Sequence, residues 1–335
     1  MSQNYTVLPQ LIGKGSFGHV YLGMDKRDGH LVAVKTETKT DAKPLLKMEN
    51  NIIKYATQSL TNKDPPSGII RSYFFWEDSY KYFMVTDLLG PSIGALHKIC
   101  CRSFSLKTTL MLTEQMINII RYYHSNNIVH RDIKPDNFLV EYNVPHKHIY
   151  LIDFGLSKKY VINGKHIPYA TNITRVGSLR YMSKNMHDCV EASRRDDMYS
   201  IGYVVVYLFT GMLPWQSSDI LKVPKKGRYE FVGNIKKTTS NEKLCQHLQC
   251  PQCRKNGTNC SFKQCMTLYF DYLDSLDFTD DINYNYILKE VLTCMKSHGL
   301  QYDHSWDWNK YYDLGSGSGS HRGPGSVPGS GVSGS

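Results

Sequence analysis

Apolar positions fall along this chain in two different rhythms. Up to about residue 87 they come in short β-rich runs at 5–12, 20–23, 31–36, 73–76 and 82–86, broken by glycine and charged turns, which predicts strands. One stretch among them, 43–57, instead repeats at helical spacing through Leu46, Ile52, Ile53 and Ala56. Gly90-Pro91-Ser92 punctuates the chain, and the pattern beyond it turns mostly helical. The segment 105–125 carries Leu110, Leu112, Met116, Ile117, Ile120 and Tyr123 on a helical period, and 261–276 and 284–297 read as two further amphipathic helices. Segment 197–210 is apolar nearly all round, which predicts a buried helix. An α+β architecture follows: a small β-rich lobe at about 1–87, a connection at about 87–91 and a larger helical lobe at about 92–312. Residues 313–335 read as a flexible tail, linker or tag scar. From Gly315 on they are almost only Gly, Ser, Pro and Val, too poor in apolar surface to offset their ordering entropy.

Length and charge narrow the class. A chain of 335 residues can bury a sizeable core in two lobes, and 41% hydrophobic with 21% charged residues suits an ordinary globular protein. No apolar run approaches the roughly 18–20 residues needed to cross a bilayer. The N-terminus lacks the basic-then-apolar layout of a secretory signal, so a cytoplasmic protein is expected, with the nucleus open. The formal net charge of +10 favours acidic partners, though nothing points directly to nucleic acid. Of the nine cysteines, some stand singly, as Cys189 and Cys294 do, and without a signal peptide they predict no disulfide framework.

The run His130-Arg131-Asp132-Ile133-Lys134-Pro135-Asp136-Asn137 places a base, a cation and a metal ligand on one short loop. Phosphoryl transfer needs this set: Asp132 to orient an attacking hydroxyl, Lys134 to face the moving charge, and Asn137 to offer an oxygen to Mg²⁺. Gly13-Lys14-Gly15-Ser16-Phe17-Gly18 lies between two strand patterns, so backbone N–H groups can fold over a triphosphate. A dinucleotide fold would need a helix directly after those glycines. Lys35, on the next strand in Ala33-Val34-Lys35, supplies a cation for phosphates, and Glu49 on the predicted helix can hold it. Asp153 in Asp153-Phe154-Gly155 is the expected second Mg²⁺ ligand. Ser178 is expected to bond Asp132 and Lys134. Asp197 is expected to cap the buried helix and to accept N–H groups from the catalytic loop.

These motifs resemble the eukaryotic protein kinases over residues 5 to about 312, and within them the casein kinase 1 family. The narrower likeness rests on HRDIKPDNFL at 130–139, DFGLSKKY at 153–160, DLLGPS at 87–92, SRRDD at 193–197 and Leu213-Pro214-Trp215-Gln216. Ser183-Lys184-Asn185 stands where most protein kinases have Ala-Pro-Glu, and is similar to casein kinase 1. The resemblance implies a bilobal protein-kinase fold that moves the γ-phosphate of ATP to serine or threonine with Mg²⁺, and a monomer is expected. The nucleotide-binding set it implies is Ile12, Gly13, Lys14, Gly15, Ser16, Phe17, Gly18, Val20, Ala33, Lys35, Glu49, Thr86, Asp87, Leu89, Leu139 and Asp153. Asp87 and Leu89 would contribute backbone groups, and Thr86 falls at the gatekeeper, where relatives usually carry methionine.

The resemblance also implies protein substrates with acidic or phosphorylated segments, read by Arg180 and Arg228, with Lys222, Lys225 and Lys226 thickening the basic stretch. Cys250-Pro251-Gln252-Cys253, followed by Cys260 and Cys265, is an insertion relative to that family. Free thiols, a disulfide and a structural Zn²⁺ site all stay open there, with Cys245 and His247 as alternative ligands. Two rivals to an active protein kinase are a silent scaffold and a small-molecule kinase. Retention of Lys35, Asp132, Asn137 and Asp153 argues against the first, and Lys134 with Gly177-Ser178 against the second.

Overall fold

The computed structural model describes residues 4–15, 18–58, 60, 66–142 and 146–313. Ser16, Phe17 and the Gly/Ser tail from residue 314 lie outside the described residues.

The N-terminal lobe is an antiparallel sheet of β1 (Tyr5–Gly15), β2 (Gly18–Asp25), β3 (Leu31–Thr38), β4 (Ser72–Glu77) and β5 (Lys81–Asp87), in the order β1-β2-β3-β5-β4. Alternation puts Val32 and Val34 of β3 and Val85 of β5 in one small core with Tyr5. Helix α1 (Leu45–Thr57) lies on the sheet and buries Leu46, Ile53 and Ala56. Its buried face also carries Glu49 and Asn50, two polar residues that an apolar stripe alone would not call for.

The chain then passes through β6 (Leu89–Ser92) into α2 (Ile93–Ile99) and α3 (Leu106–Ser125). Helix α3 begins where the Ser105 hydroxyl accepts the Thr108 N–H at 3.2 Å. Strands β7 (Ile128–Val129), β8 (Phe138–Glu141), β9 (Ile149–Leu151) and β10 (Lys158–Lys159) follow, and the catalytic loop runs between β7 and β8. β6, β8 and β9 form one small sheet, while β10 pairs with β7. Two short strands, β11 (Val161–Ile162) and β12 (Lys165–His166), make a hairpin.

The helical lobe is completed by α4 (Lys184–His187), α5 (Arg194–Thr210), α6 (Asp219–Lys222), α7 (Arg228–Thr238), α8 (Asn241–Cys245), α9 (Pro251–Asn256), α10 (Ser261–Asp274), α11 (Tyr284–Ser297) and α12 (Asn309–Asp313). α5 is the buried axis, with α3 and α10 packed on it and α11 bridging those two. That position explains why α5 is apolar on every side. The helix ends at Gly211, whose φ of 80° is the left-handed conformation a glycine adopts without a side-chain clash. The bilobal α+β fold is the one expected, with element lengths identical to the sequence pattern in α11 and differing from it by up to four residues, as in β2. No described helix is long and apolar enough to cross a membrane.

Candidate active site

The catalytic loop hangs from one buried carboxylate. Asp197, in the first turn of α5, accepts the N–H groups of His130 at 2.7 Å and Arg131 at 2.8 Å. It does not cap its own helix, which corrects half of the sequence expectation. The capping belongs to Ser193 and Asp196, with the Ser193 N–H donating to Asp196 at 2.8 Å. One position further on, the Asp197 side chain turns to the loop. His124 steadies it from α3, with Nε2 3.0 Å from the carboxylate, and the Tyr284 hydroxyl donates to His124 Nδ1 at 2.5 Å. Burial holds the His124 imidazole below its ordinary pKa, so the neutral ring donates from Nε2 and accepts at Nδ1. Burial works against the Asp197 carboxylate, but the His124 bond and the loop N–H groups outweigh it and keep its pKa low.

Asp132 is buried and gripped at both oxygens. Ser178 Oγ donates to Oδ1 at 2.7 Å, and Lys134 Nζ reaches Oδ2 at 2.6 Å. Ser178 therefore meets Asp132 as expected but makes no bond to Lys134. Its approach depends on Gly177, whose φ is 91° and where a Cβ would stand 2.3 Å from the Arg131 carbonyl oxygen. Asn137 donates its amide nitrogen to the Asp132 carbonyl at 2.9 Å. Its side-chain oxygen, the end able to ligate a cation, is left free of that bond.

The second half of the site comes from three separate elements. Lys35 Nζ on β3 lies 2.5 Å from Glu49 on α1 and 3.3 Å from Asp153. Burial opposes the Lys35 charge, yet the two carboxylates outweigh it and raise its pKa above that of an ordinary lysine. Asp153 is likewise held below the ordinary carboxylate value: burial would raise it, and Lys35 more than offsets that. Asp153 sits at φ 68°, and Phe154 beside it is fully buried between His130 and Tyr123, with ring centroids 4.9 and 4.5 Å away. Packing of Phe154 thus fixes where the Asp153 carboxylate points.

Above the lysine, Ala33 on β3 faces Thr86 on β5, and Val20 on β2 pairs with Lys35. Thr86 is buried. The Asp87 carboxylate is engaged by the Arg71 N–H at 2.7 Å and the Tyr73 hydroxyl at 2.5 Å. Leu89 pairs with Glu141, and Leu139 pairs with Ser92. Ile12 and Lys14 lie on β1, Gly13 pairs with Val20, and Gly15 pairs with Gly18 across the glycine-rich turn. A Cβ at Gly18 would lie 1.8 Å from the Thr36 carbonyl oxygen, so this turn needs glycine there.

One unit of the site escaped the sequence reading. Arg131 Nε donates to the Leu156 carbonyl at 2.7 Å, and Glu191 takes Arg131 at 3.6 Å and Lys158 at 2.6 Å. Glu191, beyond the Ser183-Lys184-Asn185 that closes the activation segment begun at Asp153, is thereby tied to the start of that segment and to the loop. HRD carries the signal for Arg131, but nothing local marks Glu191 as its partner.

Arg180 stacks over the rings of Tyr181 and Tyr207, and Arg228 donates from Nε to the Val223 carbonyl at 3.1 Å. Neither is ion-paired among the described residues. Lys222 is, with Asp219 at 2.9 Å. Of the cysteines, the structure brings Cys250, Cys253 and Cys260 together but not Cys265. α10 starts at Ser261, so Cys265 lies a turn inside that helix, buried against Cys294. Cys245 is buried in α8, and His247 faces Gln246. The fourth member of the cluster is His298, which no local pattern signalled.

A family model described as "Protein kinase domain" matches residues 6–289. The matched span contains Lys35, Glu49, the catalytic loop, Asp153 and Asp197, whose geometry forms one continuous site. This chain belongs to the protein kinase domain family of phosphotransferases, which use ATP and Mg²⁺.

Proposed function

We propose that this kinase is a serine/threonine kinase of casein kinase 1 type that favours acidic or phosphoprimed proteins. The observation that carries this is the double grip on Asp132, by Lys134 from the catalytic loop and by Ser178 from the activation segment. Both grips crowd the base, which suits a short hydroxyl side chain that brings its own backbone close.

In the proposed chemistry Asp132 orients the acceptor hydroxyl and takes its proton as the oxygen attacks. Lys134, already beside that carboxylate, faces the charge on the transferring group. Lys35, held by Glu49, is placed for the α- and β-phosphates of ATP. The Asn137 side-chain oxygen and the Asp153 carboxylate form a pair of hard oxygen donors that fits Mg²⁺. Held by Asn137 and Asp153, a bound Mg²⁺ would supply positive charge against the phosphates. Gly13 to Gly18 would cover the phosphates, with Ile12, Val20, Ala33 and Leu139 around the base and the backbone of Asp87 and Leu89 facing its edge. Thr86 leaves more room behind the adenine than a methionine would.

The narrower family is supported by the serine–x–asparagine motif. Ser183 Oγ and Asn185 Nδ2 both donate to Asp196, at 2.6 and 3.0 Å, which anchors the end of the activation segment to α5. Substrate preference is supported by Arg180 and Arg228, two guanidinium groups near that segment without ion pairs among the described residues. Casein incubated with γ-labelled ATP, followed by phosphoamino-acid analysis, tests the proposal. Phosphoserine and phosphothreonine are expected, and phosphotyrosine or an unlabelled protein would overturn it.

A further inference from the structure

We propose that Cys250, Cys253, Cys260 and His298 bind one Zn²⁺ as a closed structural site that clamps the 250–260 segment to the end of α11. The inference is independent of the phosphotransfer chemistry, since no ligand lies on an element that carries Asp132, Asn137 or Asp153.

The four donor atoms, three Sγ and one imidazole nitrogen, all lie within 4.8 Å of one another. Ligands at ~2.0–2.3 Å around a tetrahedral ion stand ~3.5–3.8 Å apart. His298 Nε2 is 3.7 Å from Cys260 Sγ and 3.9 Å from Cys253 Sγ, close to that spacing before any metal draws them in. Three thiolates with an imidazole form a soft donor set that selects Zn²⁺ over Mg²⁺ or Ca²⁺. Four protein ligands leave no open position, which is the mark of a structural ion.

The surroundings orient the ligands. His298 Nδ1 donates to the Cys294 carbonyl at 3.0 Å, with the Ser261 hydroxyl 3.1 Å away, so the lone pair is left on Nε2, toward the sulfurs. Two main-chain N–H groups aim at sulfur: Cys253 N–H at Cys250 Sγ and Cys250 N–H at Cys260 Sγ, each 3.4 Å. Such bonds favour the thiolates that a metal requires. The CxxC lies at the start of α9, a helix of six residues closed by Gly257 at φ 64°, too short to hold its own shape in water. A metal cross-link would supply that order. It would also fix the far end of α11, the helix whose first residue, Tyr284, donates to His124 behind Asp197.

The test is metal content of the full chain, purified without chelator from zinc-supplemented cells, with Cys253→Ser, His298→Ala and Cys265→Ser alongside. About one zinc per chain is expected in wild type and Cys265→Ser, falling to below about a tenth in the two ligand variants. Those variants risk misfolding, so wild type is also stripped, shown folded by circular dichroism and titrated with Co²⁺. Thiolate-to-cobalt charge transfer and tetrahedral d–d bands should appear and saturate at one equivalent, then vanish on adding Zn²⁺. Substoichiometric zinc in wild type with no cobalt spectrum would overturn the site. So would thiols freed for alkylation by a reductant but not by a chelator, which would mean a disulfide.

Discussion

Ser178 Oγ donates to Asp132 Oδ1 at 2.7 Å, so the activation segment is bonded directly to the carboxylate on the catalytic loop. With Lys134 on the other oxygen, the carboxylate has one orientation. Ser178→Ala removes a bond to a charged group, a change of about 1.5–3 kcal/mol, so kcat should fall roughly ten- to a hundredfold. The bond of Ser178 goes to Asp132 and not to Lys35 or Asp153, so KM for ATP should stay near the wild-type value. Steady-state kinetics with the peptide and ATP varied in turn would show both. An unchanged kcat would remove Ser178 from the positioning of the base.

Glu49→Gln keeps the volume and removes the charge facing Lys35. Lys35 would then be left with Asp153 alone at 3.3 Å and pulled toward that carboxylate. Breaking a buried ion pair costs about 3–5 kcal/mol, and the surviving partner puts this case at the low end. Urea unfolding should show that loss, and kcat/KM for ATP should drop at least tenfold. Loss of activity with unchanged stability would mean that Glu49 acts on ATP rather than through the lysine.

Acid should weaken the fold before most carboxylates titrate. Burial holds the His97 imidazole down to about 4 and the His187 imidazole down to about 3, against an ordinary 6.5. His124, His130 and His146 are held down for the same reason. Below pH 6.5 the unfolded chain takes up these protons while the folded chain does not. Stability is therefore intact above 6.5 and declines as pH falls toward 4. Urea midpoints at pH 7 and pH 5 should differ, with the lower at pH 5. Equal midpoints would contradict the buried neutral state of these rings.

Arg180 and Arg228 carry the prediction on substrate choice. The Arg180→Gln, Arg228→Gln double variant should lose at least roughly ten- to a hundredfold in kcat/KM on a phosphoprimed peptide, the cost of losing even one charged hydrogen bond at about 1.5–3 kcal/mol. The unprimed peptide should lose much less. High salt should shrink the difference, because screening weakens the wild-type advantage at an exposed site. Equal losses on both peptides would point instead to damage in the activation segment, where Arg180 stacks on Tyr181 and its carbonyl accepts from Trp215.

Much of this was legible along the chain because its signals are local. The β-rich run 31–36 marks β3, the all-round apolar run marks the buried α5, and the HRD and DFG runs keep their chemistry within a few residues. What was not legible depends on contacts between distant segments. The division of labour between Asp196 and Asp197 is decided by a loop that arrives from residues 130 and 131. His298 joins Cys253 and Cys260 only because α11 folds back on α10, and no spacing in the sequence marks a lone histidine at a helix end. Cys265 looked eligible by proximity in sequence, but helical geometry points it into the core.

Asp132→Asn tests the central claim most directly. The substitution removes one charge and almost no volume, so circular dichroism and the unfolding midpoint should stay close to wild type. In a single-turnover assay with saturating ATP and peptide, wild type should transfer the γ-phosphate to serine or threonine, and Asp132→Asn should lose at least about a hundredfold in rate. A folded Asp132→Asn protein that transferred phosphate at the wild-type rate would contradict the assignment of Asp132 and, with it, the chemistry proposed for this site.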